Sequence, residues 1–249
     1  MKNIILTDNL DFVYSLKPLK HGEGGFAKCY FLDDSNIIKK YFDITTSTAI
    51  STQDVEYTLG IENDTYYFPH TLYETKDRIL LATAQKLAEG ENLGCLKRKV
   101  RIDDYFNAID KVIEDTKKLG KHKIITFDIA SSNMIYTPGV IKIIDSDLFY
   151  IEEHYDESLC NKKNLENVNE ALLEYFVEGS DINCTSVIYD FIQYNEHLYS
   201  LYNCMSRHPD DYKLLKEFIL CMQDQVGRTT GTSFNTIDQM QKAIIRRRV

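Results

Sequence analysis

The apolar and polar positions divide the chain into a first half of short alternating runs and a second half of helical periodicity. Residues 12–19, 29–32 and 37–42 alternate in the manner of strands. Asp33-Asp34-Ser35-Asn36 supplies turn chemistry between the last two. A helix is expected within 46–60, with Ser51 or Thr52 as N-cap and Gly60 near its end. Residues 66–73 and 78–84 predict two more strands around a Thr75-Lys76-Asp77 turn. The clearest helix is 102–119, where Ile102, Tyr105, Phe106, Ile109, Val112, Ile113 and Leu119 fall on one face. Lys117 and Lys118 suit its last turn, and Gly120 is the expected C-cap. A strand over 123–127 follows, then a hairpin of 134–137 and 140–144 turning at Pro138-Gly139. The remainder predicts helices over 165–178, 186–204, 209–226 and 235–247, the third starting at Pro209 with Asp210 and Asp211 behind it. The expected class is α+β.

Composition narrows the function classes. The 249 residues are 43% hydrophobic and 27% charged, enough apolar content to bury a core. With 29 Lys+Arg against 38 Asp+Glu the net charge is −9, which argues against a general nucleic-acid or anionic-membrane binder. The start, MKNIILTDNLDF, meets acidic residues before any long apolar run, so no secretory signal is expected. No run approaches the ~18 apolar residues of a membrane span, and the expected location is the cytoplasm. Six cysteines (29, 95, 160, 184, 204, 221) and six histidines show no metal-ligand spacing, and reduced thiols are expected. The 17 tyrosines read mostly as core or half-buried positions. The basic run Lys97-Arg98-Lys99-Val100-Arg101 and the final Arg246-Arg247-Arg248 read as solvated faces.

Four motifs carry candidate chemistry. Gly22-Glu23-Gly24-Gly25-Phe26-Ala27 sits between two strands, where absent Cβ atoms let backbone N–H groups approach phosphates; alone it also fits a flexible hairpin turn. Ile37-Ile38-Lys39-Lys40 places lysines in an apolar strand, and one that faces inward needs an anion; an edge strand with solvated lysines is the plainer alternative. Thr126-Phe127-Asp128-Ile129-Ala130-Ser131-Ser132-Asn133 and Ile143-Ile144-Asp145-Ser146-Asp147 each put an aspartate behind apolar strand residues. Their oxygen ligands suit a hard cation such as Mg²⁺ on a polyphosphate, although Asp and Asn also favour turns.

Taken in order, these motifs make residues 12–150 resemble the protein-kinase-like superfamily. The most specific part is Asp128-x4-Asn133 followed by Asp145 across a hairpin. The resemblance implies a single bilobal domain over 1–249. Its N-lobe, about 1–84, would hold a five-stranded antiparallel sheet with one helix. A hinge near 83–90 and a mainly helical C-lobe over 91–249 would follow, with ATP between the lobes. Gly22, Gly24, Gly25 and Ala27 would cover the phosphates. Lys39 would contact them, paired with Glu56 or, alternatively, Glu62. Leu81 or Ala82 would back the adenine pocket, and Gln85, Lys86 and Leu87 would form the hinge. Asp128 would orient the acceptor hydroxyl, and Asn133 and Asp145 would hold Mg²⁺.

The departures shape the functional expectation. The H-R-D pattern reads Thr126-Phe127-Asp128, the lysine after the catalytic aspartate is Ala130, D-F-G reads Asp145-Ser146-Asp147, and A-P-E is missing. The expected activity is Mg·ATP-dependent phosphotransfer to a hydroxyl by an atypical bacterial-type serine/threonine protein kinase. The alternatives are a small-molecule kinase of the aminoglycoside/choline-kinase-like kind and a nucleotide-binding pseudokinase or interaction scaffold. The expected partners are ATP and a protein or small hydroxyl-bearing acceptor. Glu152, Glu153, Asp156 and Glu157 could receive a cationic acceptor or form a solvated loop.

Overall fold

The computed structural model describes residues 3–23, 26–42, 52–96, 100–145, 149–178 and 185–246. The chain divides into two compact units, Met1–Ala88 with Ile144–Tyr150 and Glu89–Ile143 with Ile151–Val249. Residues 144–150, expected within the body over 91–249, group with the first unit, where Phe149 packs edge-on against Phe68, 6.3 Å between centroids.

The first unit is built on a mixed six-stranded sheet. Its strands are β1 (Asn3–Leu6), β2 (Pro18–Glu23), β3 (Ala27–Phe31), β4 (Asn36–Tyr41), β5 (Thr71–Glu74) and β6 (Leu80–Lys86), in the order β1-β5-β6-β4-β3-β2. The helix α1 (Thr52–Thr58) precedes β5. Five strands pair antiparallel as expected, but β1 adds a sixth, parallel to β5 with Asn3 opposite Thr71. A purely antiparallel five-stranded sheet is therefore corrected. The strand expected over 12–19 is also corrected, because Asp11–Ser15 is a 3-10 turn and β2 begins only at Pro18. Leu10, Val13 and Leu16 recur every third residue, the 3-10 period. Leu10 and Val13 drop into a core with Tyr30, Ile38, Tyr73, Ala82 and Ala84. The strand over 66–73 shrinks to β5. Asn63 Oδ1 accepts the Thr65 and Tyr66 N–H groups at 2.9 and 2.8 Å, and Pro69 has no N–H for a ladder. Of the helix expected over 46–60, residues 46–51 lie outside the described residues; α1 ends before Gly60, whose φ is +88°.

The second unit holds the predicted long helix with unchanged bounds, α2 (Ile102–Leu119). Tyr105, Ile109, Val112 and Leu119 are fully buried, each worth about 1.5–3 kcal/mol relative to exposure. Three strands, β7 (Glu91–Asn92), β9 (Met134–Thr137) and β10 (Val140–Ile143), form a small antiparallel sheet, and β8 (Ile124–Thr126) precedes β9. Gly90 enters β7 at φ +134°, and a Cβ there would stand 2.5 Å from the Tyr136 carbonyl. Gly120 is not the left-handed cap. It has φ −60° and continues into a 3-10 turn that Lys123 ends at φ +56°.

The remaining helices are α3 (Glu157–Glu178), α4 (Thr185–Gln193), α5 (Glu196–Arg207), α6 (Tyr212–Thr230) and α7 (Ile237–Arg246). Three helix starts that differ from expectation are each set by a capping side chain. α3 starts early because Asp156 Oδ1 accepts the Leu159 N–H at 2.7 Å. The helix expected over 186–204 breaks into two, because Asn195 Oδ1 accepts the Leu198 N–H at 3.0 Å and starts α5. α6 begins behind Asp211, which accepts the Lys213 N–H at 3.0 Å, rather than at Pro209. Among the described residues no helix is long and apolar enough to cross a membrane, and Cys29, Cys95, Cys160, Cys204 and Cys221 are free thiols.

Candidate functional site

In the first unit the sheet register aims Lys39. It stands on β4, opposite Cys29 of β3 and Thr83 of β6, with its side chain only 12% exposed. An ammonium so placed needs an anion, and the Asp145 carboxylate forms an ion pair and hydrogen bond with Lys39 Nζ. The Tyr41 ring lies 5.7 Å from the same nitrogen. Asp145 ends the apolar run that begins at Val140 and has a left-handed backbone, φ +62°. This conformation is uncommon for a residue with a Cβ, although Asp tolerates it better than most.

The other described residues expected around Lys39 lie on β2, β3, β6, α1 and the segments beyond α1 and β6. Glu56 on α1 pairs with Arg78. Arg78 also holds Glu74 Oε1 at 3.0 Å, and that glutamate is 1% exposed. Hydrogen bonding to Glu56, with the charge of Glu74, raises the Arg78 pKa above its ordinary value. Glu62 lies beyond α1 and is exposed. Gly22 is inside β2, where a Cβ would stand 2.9 Å from Leu19 Cβ and 3.1 Å from Cys29 Cβ. That close approach gives Gly22 a packing reason to be glycine. Gly24 and Gly25 lie outside the described residues, and Ala27 is buried in β3. Gln85 is buried within β6, and the Leu87 N–H donates to the Ser35 carbonyl at 2.8 Å, so that hinge donor is already used. Ser146 and Asp147 lie outside the described residues.

In the second unit the loop after β8 is held from below by α3. Asn164 is fully buried. Its Nδ2 donates to the Ile124 carbonyl at 2.8 Å and its Oδ1 accepts the Thr126 N–H at 2.9 Å. Asn167 Nδ2 donates to the Thr126 carbonyl at 2.5 Å. The chain then turns at Asp128, φ +58°, into a 3-10 turn over Ser131–Asn133. Asn133 Nδ2 donates back to the Asp128 carbonyl at 3.0 Å. Asn92 secures the far side, donating to the Ser132 carbonyl and accepting the Gly94 N–H. The carboxylate of Asp128 and the side-chain oxygen of Asn133 are thus carried on a loop whose backbone is tied at both ends.

Asn164, Asn167 and Arg78 are supporting residues that no sequence motif singles out, and Asn92 joins them. Their one sequence signal is weak: Asn164 and Asn167 are three apart on the inward face of a helix. Among the described residues, no group of three or more His, Cys, Asp or Glu side chains forms a metal centre. No protein-family model matches this chain, and no curated protein matches it.

Proposed function

We propose that this protein is a Mg·ATP-dependent phosphotransferase of the bilobal protein-kinase-like superfamily, moving the γ-phosphate to a hydroxyl. The observation that carries the reading is the Lys39–Asp145 ion pair, which joins the strand lysine to the aspartate that follows the Asp128-x4-Asn133 hairpin. The antiparallel strand order β5-β6-β4-β3-β2, with the lysine on the middle strand, supports it. So does the left-handed backbone shared by Asp128 and Asp145, since strained positions concentrate where function over-determines them.

Phosphoryl transfer needs positioning and charge neutralisation more than covalent chemistry. In this reading Lys39 exchanges its carboxylate partner for phosphate oxygens. The Asp128 carboxylate accepts the hydrogen bond of the acceptor hydroxyl and takes its proton as transfer proceeds. Asn133 keeps the Asp128 loop in register through its Nδ2, and its side-chain oxygen has no hydrogen-bond partner among the described residues. By the resemblance, that oxygen and the Asp145 carboxylate would hold Mg²⁺, each being a hard oxygen donor of the kind the ion takes. Bound there, the ion would neutralise phosphate charge.

The preferred acceptor is a protein serine or threonine. A small-molecule acceptor is the second reading, favoured by a cavity of about 720 Å³ whose wall includes Ile129 and Ala130, directly after Asp128. Incubation with labelled ATP and Mg²⁺, followed by mass spectrometry of the protein, tests the proposal. Phosphoserine or phosphothreonine that forms in the wild type and not in Asp128→Ala supports the protein-kinase reading. ATP consumption only upon addition of hydroxylated small molecules supports the second. Failure of Mg·ATP to bind at all overturns both and leaves an interaction scaffold.

A further inference from the structure

The parallel strand β1 is lightly held. Its residues Asn3–Leu6 lie opposite Thr71–Glu74 of β5, Ile4 packs against the core below α1, and Leu6 is 61% exposed. A parallel edge strand this short gains little from its ladder alone. Its one side-chain hydrogen bond among the described residues runs from Asn3 Nδ2 to Thr71 Oγ1, at 2.9 Å, and Thr71 is 4% exposed. The same hydroxyl meets His70 Nδ1 at 2.9 Å, and His70 Nε2 meets Asn36 Oδ1 at 3.1 Å. Asn36 Nδ2 then donates to both Asp33 carboxylate oxygens at 2.9 Å. One chain of hydrogen bonds thus runs from the β3–β4 turn to the start of β1.

Its far end fixes its direction. The Asp33 carboxylate only accepts, so Asn36 turns its amide nitrogen to Asp33 and its oxygen to His70. The ring proton is therefore on Nε2, and Nδ1 is an acceptor. The Thr71 hydroxyl takes the Asn3 N–H and gives its own proton to Nδ1. A second ring proton would occupy Nδ1 and turn that hydroxyl away, toward an Asn3 that presents another donor. A buried donor without an acceptor is costly. His70 is exposed and can take up the proton. Partial loss of water around the ring lowers its pKa below the ordinary 6.5, with Asp33 opposing and Lys86, at the end of β6, adding to the effect. The residues of β1 itself, Asn3–Leu6, carry no charge.

We propose that His70 is an acid-sensitive latch for β1: the neutral ring holds Asn3 through Thr71, and the protonated ring lets the strand leave β5. Release would bare the β5 edge at Thr71–Glu74, which β1 now covers. A folded-state pKa below the unfolded one keeps docking intact above pH about 6.5 and weakens it as pH falls through the folded value. The proposal goes beyond phosphotransfer and does not require it.

The test is hydrogen exchange of the full chain, without nucleotide, at about pH 7.5 and about pH 5.5, with rates corrected for the intrinsic effect of pH. Residues 3–7 should lose protection about tenfold at the lower pH, the scale of one lost hydrogen bond. Strands β3 and β4 should keep theirs. His70→Gln retains a donor and an acceptor but does not titrate, so it should abolish the pH dependence. Asn3→Asp only accepts, so it favours the doubly protonated ring and should reverse the sign. If His70→Gln fails to fold, the ring resonances of the wild type take its place. The β1 amide shifts should then move with the His70 midpoint, below pH 6.5. Equal protection of residues 3–7 at both pH values overturns the proposal; Asn3 would then have turned its carboxamide over and kept the chain intact. So does acid loss of protection in His70→Gln as large as in wild type, or loss in β3 and β4 together with β1. Because no nucleotide is present, a protein inert toward ATP whose β1 still responds to acid separates this inference from the proposed phosphotransfer.

Discussion

Lys39 and Asp145 pair across 106 positions of chain, the lysine from the middle of the sheet and the aspartate from the end of a hairpin strand in another part of the sequence. Their side chains are 12% and 37% exposed, so the contact is sheltered on one side only. Half-open pairs of this kind contribute about 0–1 kcal/mol. Because the lysine is mostly buried, however, Asp145→Ala leaves its ammonium short of a carboxylate and should destabilise by about 1–3 kcal/mol while removing Mg-dependent ATP binding. Lys39→Ala should remove that binding as well. Urea unfolding beside a Mg·ATP thermal shift separates the two effects; a variant that unfolds outright would assign the pair to stability instead.

The left-handed backbone at Asp128 makes a second prediction. A Cβ at positive φ costs about 1 kcal/mol relative to glycine. Asp128→Gly should then be more stable than Asp128→Ala by about 1 kcal/mol in chemical denaturation, with phosphotransfer lost in both. Equal stabilities would mean that the loop does not hold this conformation in solution.

Asn164 is the support whose loss should cost most. Its carboxamide satisfies both the Ile124 carbonyl and the Thr126 N–H while wholly buried. Asn164→Ala orphans both groups and should destabilise by about 2–4 kcal/mol, since each unsatisfied buried group costs 1–3. Asn164→Asp restores the acceptor but not the donor and adds a buried charge, so it should not rescue. Melting temperatures of the three proteins check this.

Two buried tyrosines predict an alkaline limit. Tyr105 is fully buried, donates to the Leu172 carbonyl at 2.6 Å and packs 5.6 Å from the Tyr175 ring. Desolvation raises both phenol pKa values above the ordinary 10, with the neighbouring tyrosines adding to the effect. A folded-state pKa above the unfolded one leaves stability intact below pH about 10 and removes it as pH rises further. Tyrosinate absorbance should then show a set of phenols, Tyr105 and Tyr175 among them, that ionise only together with loss of helical circular dichroism. Smooth ionisation of every tyrosine before unfolding would contradict this burial.

The local elements of this protein were legible in its sequence. The apolar face of α2 over 102–119, the Pro138-Gly139 hairpin and the β3–β4 pair appear where periodicity and turn residues put them, because those preferences act within a few neighbouring residues. The α+β class followed from the same patterns. What pairs across long separations was not legible. β1 reads as an ordinary apolar start, and only its docking beside β5 makes it a sixth, parallel strand. Gly22 and Glu56 fit a nucleotide motif by spacing. That Gly22 also packs close to Leu19 and Cys29, and that Glu56 meets Arg78, depends on where β2 and the β5–β6 turn lie in space. Asn169 Nδ2 reaches the Pro209 carbonyl forty positions on, while its buried Oδ1 has no hydrogen-bond partner among the described residues. Periodicity is a property of adjacent residues, whereas an unpaired buried atom is a property of the packed chain, so only the tertiary structure decided it.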